Sequence, residues 1–187
     1  MSEPGREALA WAGRAPDVPQ KWFLRTSSLH GVGHTQRVHI HAQRLASEHA
    51  WSEADTRLAL RAALWHDIGR TNDDVDPSHG AASALRAARL GLPAELPETD
   101  AGIVLFAIHF HSLSDEEAEA ALTSRARPRV PDDPERALGI LWLLKDADAL
   151  DRVRLAHWEA ADPKQLRLPG SVRLLPFAAE LFEVVRP

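Results

Sequence analysis

Cysteine is absent from this chain, which excludes disulfides, thiolate zinc sites and cysteine nucleophiles together. No apolar run approaches the roughly 18 residues that a membrane span requires. The opening residues, MSEPGREALAW, have neither a basic start nor an apolar stretch, so no secretory leader is read there. A cytoplasmic location without a membrane partner fits these absences. Strand-like alternation is missing as well, since no window switches regularly between polar and apolar residues. Positive charge is in deficit: the formal net charge is −5, so general affinity for nucleic acid is not expected. The local exception is RARPR (125–129), read as a solvated surface loop. Lysine is rare, three residues against 19 arginines, which draws notice to Lys145 beside an acidic string.

What remains is helix. At 187 residues the chain has the length of one domain with a substantial core. A short leading helix is read near 5–12 and a strong one over 28–49. Ser52, followed by Glu53 and Asp55, opens the next, which ends near Asp67-Ile68-Gly69 with Gly69 as its left-handed stop. Pro77-Ser78 starts a helix that stops at Gly91, and another covers about 98–110. Ser114 and Glu117 form a capping-box pattern for a short helix to about 124. Asp133-Pro134 leads into the most apolar helix, 138–153, expected at the centre of the bundle. A last helix is read from Pro176 to Val185, giving a single all-α domain.

The most informative residues are His66 and Asp67, adjacent at the end of the apolar run 58–70. Beneath His66 lie Ala63, Ala62 and Ala59; beneath Asp67 lie Leu64, Ala63 and Leu60. Both side chains therefore face inward, and a buried carboxylate is costly unless paired or bound to metal. Asp148 stands over Leu144 and Leu141 on the core side of its helix, with Asp146 and Asp151 as competitors for the same role. Asp151 is expected in a surface pair with Arg152 or Arg154. His30 and His34 sit four residues apart, with Arg37 close behind, and can share one helix face. His79 would project from a helix N-terminus, where phosphate also finds free amides. His109 and His111 would point about 200° apart, so only one can face a common site. His39, His41, His49 and His157 are read as surface or structural.

This ordered set resembles the HD-domain superfamily of metal-dependent phosphohydrolases, in particular its small stand-alone bacterial members. The resemblance covers about 27–155, leaving a C-terminal helical extension at about 156–187. It rests on His-Gly-x-x-His-x-x-Arg-Val at 30–38, His-Asp-Ile-Gly at 66–69, His79-Gly80-x-x-Ser83-Ala84, Ala107-Ile108-x-x-His111-Ser112 and Asp146-Ala147-Asp148-x-Leu150-Asp151. Arg70 and Ala149 depart from it where many members carry basic residues, lysine in the first case. The resemblance implies a helical bundle with His34, His66, Asp67 and Asp148 as metal ligands. His79, His111 and His109 are candidates for a second ion, with His111 the better match of the last two.

One or two divalent ions (Mn, Fe, Co, Ni, Zn or Mg) are the implied cofactor, since imidazole and carboxylate do not choose among them. The expected substrate is a small phosphorylated molecule, with nucleotides favoured and self-association into a homodimer left open. Asp67, His79 and Lys145 are the expected catalytic groups. Phosphate and leaving group are assigned to His30, Arg37, His79, His111, Lys145 and Arg152. Two other readings keep the same scaffold: a di-iron oxygenase, and a non-catalytic metal- or nucleotide-binding regulatory module.

Overall fold

A computed structural model describes residues 3–123, 131–155 and 162–186. The described residues form eight α-helices joined by turns and short 3-10 segments, with no strand among them. They are α1 (Glu3–Ala12), α2 (Val32–Glu48), α3 (Glu53–Trp65), α4 (His79–Arg89), α5 (Glu98–Phe110), α6 (Asp115–Thr123), α7 (Pro134–Leu150) and α8 (Leu175–Val184). None is long and apolar enough to cross a membrane. The RARPR segment and His157 lie outside the described residues.

Helix α7 sits at the centre, packed against α2, α3 and α5. Ile140, Leu141, Leu143, Leu144 and Leu150 are all buried there, which accounts for its apolar content on every side. Helix α4 lies along α5. On the far side α1 packs against α8, and Ala8, Ile40, Phe177 and Leu181 form a small second core. Helix starts follow local chemistry. The Ser52 hydroxyl accepts the Asp55 amide at 3.0 Å, and the Asp133 carboxylate accepts that of Arg136 at 3.0 Å, with Pro134 in the first turn. Ser114 and Glu117 exchange reciprocal bonds at 3.2 and 2.9 Å. Arg136 then ties α3 and α5 to α7 through Asp55 and Asp100, at 2.5 and 2.7 Å.

Several boundaries differ from the sequence reading, among them the start of α7, at Pro134 rather than 138. Helix α2 begins at Val32 rather than near 28, because the Ser27 hydroxyl accepts the amides of Leu29 and His30 and bends the chain. His30 is consequently off the helix, and its relation to His34 is not that of one helical turn. Helix α7 ends at Leu150, and residues 151–154 tighten into a 3-10 turn. Gly69 is not a left-handed stop; positive φ at glycine occurs at Gly91 (69°) and Gly170 (83°) among the described residues.

His41 is a buried structural residue, edge-on to Phe177 at 5.9 Å, with neither ring nitrogen hydrogen-bonded. Burial, the largest influence, pushes its pKa down to about 4 from 6.5. The unfolded chain therefore binds a proton that the folded chain refuses, and stability present above pH ~6.5 is lost as pH falls toward ~4. The slope is up to about 1.4 kcal/mol per pH unit. Urea unfolding between pH 7 and 4.5 should show a shallower loss for His41→Leu than for the unsubstituted protein. Equal slopes would contradict this assignment.

Candidate metal centre

Five segments end at one place. The bend before α2 and its first turn supply His30 and His34, the end of α3 supplies His66 and Asp67, and α4 begins with His79. Helix α5 closes on His111, and the last turn of α7 carries Asp148. Helix ends deliver these groups because the chain turns there, so residues adjacent in sequence can face a common centre. His34, His66, Asp67, His79 and His111 are all buried, whereas the Asp148 side chain remains 31% exposed and marks the open side.

Asp67 is the hub. Its Oδ2 lies 3.0 Å from His30 Nδ1, 3.5 Å from His34 Nε2 and 3.7 Å from His66 Nε2. Its Oδ1 faces the other way, 3.3 Å from His79 Nε2, 3.7 Å from His111 Nε2 and 3.3 Å from Arg70 Nε. Burial alone would raise the Asp67 pKa. The imidazoles of His66, His111, His30 and His79 outweigh it and hold the carboxyl well below the usual range. Asp148 Oδ1 approaches His34 Nε2 at 3.3 Å. Desolvation opposes ionisation of Asp148 too, but His34 holds it well below the ordinary value.

The second nitrogen of each imidazole fixes its tautomer. His66 Nδ1 donates to the Ala63 carbonyl and His111 Nδ1 to that of Ile108, both at 2.7 Å, and His79 Nδ1 donates to the Asp76 carbonyl. His34 Nδ1 donates to Asp151 at 2.7 Å. Carbonyls and carboxylates only accept, so each of these rings, in its neutral form, presents an Nε2 lone pair to the centre. His34 Nε2 and His66 Nε2 are then 3.1 Å apart, and His79 Nε2 and His111 Nε2 are 2.9 Å apart. Acceptors facing acceptors at these distances repel unless a cation lies among them. A proton serves one gap: burial and Arg154 disfavour it on His34, but Asp148 and Asp151 win and raise that pKa. Burial drives His66 to about 3 and His79 to about 4, leaving both neutral. His34, His66 and Asp148 form one ligand group and His66, Asp67 and His111 another, each with ligand atoms within 4.8 Å. His30, His34 and Asp67 make a third. The donor set therefore fits one divalent ion, and the two-sided carboxylate of Asp67 fits a second.

Other expected residues are placed elsewhere. Asp146 lies outside the cluster that takes in Asp148; its carboxylate accepts the amides of Arg167 and Leu168 and the Ser171 hydroxyl, pinning the segment before α8. Lys145 is buried, with its ammonium on Asp115 at 2.6 Å and the Leu113 carbonyl at 2.7 Å, and so braces the turn between α5 and α6. Arg37 is fully buried and grips Asp151, so it is not placed to meet phosphate. Asp151, expected at the surface, is fully buried between Arg37 and His34, which hold its pKa at about 2 against the effect of burial. His109 lines a groove between α4 and α5, away from the cluster that holds His111. Arg152 is half-buried in the 3-10 turn. Arg154 does pair with Asp151, at 3.6 Å, but as a buried side chain; what sequence reasoning missed is that its guanidinium also lies 3.3 Å from the His30 Nδ1 that faces Asp67.

Two glycines let the segments meet. A Cβ on Gly69 would lie 2.4 Å from the backbone of Ala82 and Ser83, and the Gly69 amide donates to Ser83 Oγ at 3.0 Å. A Cβ on Gly80 would lie 2.6 Å from the His109 carbonyl oxygen, so only glycine lets the start of α4 touch the end of α5. Gly80→Ala should cost roughly 1–3 kcal/mol in chemical denaturation, because rigid backbone must move. Gly102→Ala in α5, where a Cβ meets nothing within 4 Å, should be neutral or stabilising by up to about 1 kcal/mol. Equal effects at the two sites would contradict the close-approach argument.

Comparison with curated proteins and with solved structures gave no match. The HD domain family matches residues 31–153, a span containing every member of the cluster except His30. Members of that family are, in general, divalent-metal-binding phosphohydrolases. The match extends over most of the chain and encloses the paired imidazoles and both aspartates of the centre, so this chain belongs to the HD domain family.

Proposed function

We propose that the chain is a metal-dependent phosphohydrolase acting on a small phosphorylated molecule, with a nucleotide as the substrate class. The observation that carries this reading is the convergence of Nε2 lone pairs and carboxylate oxygens around Asp67, an arrangement that calls for a cation. His34, His66, Asp67 and Asp148 would hold the first ion; His79, His111 and the second oxygen of Asp67 would hold another. The chemistry such an ion supplies is a lowered pKa for water and polarisation of a phosphoryl oxygen.

The chain's own groups do the rest. Arg70 keeps the Asp67 carboxylate oriented, and its Nη1 is anchored by the Asp74 carbonyl at 3.1 Å. Neutral His79 offers a lone pair that can take a proton where no second ion binds. His30 stands on one side of Asp67, held there by Arg154, whose own donors go to the Leu29 and Asp151 carbonyls, and Arg152 is assigned to meet phosphate charge. Arg37 and Lys145 are left out, because each is committed to a buried partner. The nucleotide class rests on the family resemblance.

Elemental analysis of purified protein, followed by phosphate release from a nucleotide panel with Mn²⁺, Co²⁺, Ni²⁺ and Mg²⁺, tests this reading. Release should vanish on chelation and return with one of these ions. Asp67→Ala should lose both metal and turnover while keeping its helical circular-dichroism signal. Full activity in that variant, or in chelated protein, would refute the assignment. Bound metal without release would favour a binding module, and oxygen consumption by coloured, iron-loaded protein would favour an oxygenase.

A further inference from the structure

The family match ends at residue 153, yet the structure connects the metal centre to α8, beyond that limit. Arg37, fully buried on α2, is the link. One edge of its guanidinium holds Asp151, with Nε to Oδ1 at 2.6 Å and Nη2 to Oδ2 at 3.0 Å. Its Nη1 donates to the Val185 carbonyl at 2.7 Å, just past the end of α8. The Phe182 ring of that helix lies against the guanidinium at 5.0 Å. Asp151 Oδ2 in turn accepts His34 Nδ1–H at 2.7 Å. Arg37, Asp151 and His34 are each 0% exposed, so no water substitutes for a lost partner without rearrangement.

We infer that α8 is a working part of the metal centre: its last turn positions Arg37, Arg37 positions Asp151, and Asp151 fixes the orientation and tautomer of His34. The inference rests on the metal-dependent reading of the site. Its chemistry is simple. A carboxylate can only accept, so Asp151 places the proton of neutral His34 on Nδ1 and leaves Nε2 free for an ion. Asp151 needs the planar fork of Arg37 to keep one orientation. That fork keeps its own because Val185 and Phe182 occupy its remaining edge and one face. Arg37, Asp151 and Phe182 are therefore positioning residues; none touches the ion or the substrate. Helix α1 braces the same assembly by packing against α8.

The test is Co²⁺ affinity by chelator competition, with the visible absorption band of the bound ion as a second readout. It compares Arg37→Lys, Phe182→Ala and Phe177→Leu. Arg37→Lys keeps the charge but loses the fork; Phe182→Ala spares the core. Phe177→Leu loosens the same helix without touching Arg37, since Phe177 packs against His41. At a temperature well below every melting midpoint, the first two should bind Co²⁺ roughly 10–100-fold more weakly, with an altered band. Phe177→Leu should lower thermal stability and leave affinity and band unchanged. If Arg37→Lys fails to fold, Phe182→Ala and Phe177→Leu still carry the comparison. Unchanged affinity in Phe182→Ala, or losses in all variants that track their loss of stability, overturns this inference alone. Failure of the unsubstituted protein to bind any divalent ion would sink the metal-dependent reading and this inference with it.

Discussion

A single buried carboxylate sets the terms for this structure. Asp67 is 3% exposed and ionised, and an isolated charge at such a depth would cost several kcal/mol. Five imidazoles converge on its two oxygens and Arg70 reaches one of them, so the charge is met by Arg70 and by the protons or cation those rings hold. To bring those groups within reach, α2 must start, α3 and α5 must end, and α4 must begin within a few ångströms of one another. The placement of helix termini, Gly69 and Gly80 follows from that demand. A core built only for stability would have no reason to gather so many polar ends.

The imidazoles around Asp67 show how backbone chemistry prepares a side chain for a ligand. His66 and His111 each sit just past a helix and donate Nδ1–H to the carbonyl three residues earlier. Those carbonyls belong to the last turn, where the helix itself provides no partner. One bond thus satisfies a helix end and fixes a tautomer. His34 lies in the first turn of α2, where the Gly31 carbonyl three residues earlier already accepts the Thr35 amide, and its Nδ1 turns to a side chain instead. Asp151 fills that need and requires Arg37 in return. The difference explains why one imidazole is held through a chain of buried partners that reaches α8 while two others are held by local backbone alone.

Much of this was legible from residues alone. Helix α5 falls on the expected 98–110, the capping box at Ser114 and Glu117 forms as written, and α7 is central as its apolar content demands. The pairing of His66 with Asp67 pointed to the centre because both stand above small or apolar residues. Periodicity failed where side chains capture backbone. Ser27 bends the chain and removes His30 from α2, yet the bend still delivers His30 to Asp67. Asp151 read as a surface residue because its sequence neighbours are charged; the pair with Arg154 forms, but buried, and the closer partners, His34 and Arg37, are more than a hundred residues away. Lys145 read as a phosphate contact because it stands beside an acidic string, and Arg37 because it follows His30 and His34; the carboxylates that hold them, Asp115 and Asp151, are distant in sequence. Gly69 read as a helix stop, since no local pattern reveals that α4 presses against it.

The central claim is that the lone pairs gathered around Asp67 are a divalent-ion site. Anomalous diffraction from crystals soaked in Mn²⁺ tests it most directly. The account predicts a peak among His34 Nε2, His66 Nε2, Asp67 Oδ2 and Asp148 Oδ1, with any second peak on the His79 and His111 side of Asp67. Anomalous density found only at exposed surface carboxylates, with the imidazole cluster empty, would contradict it.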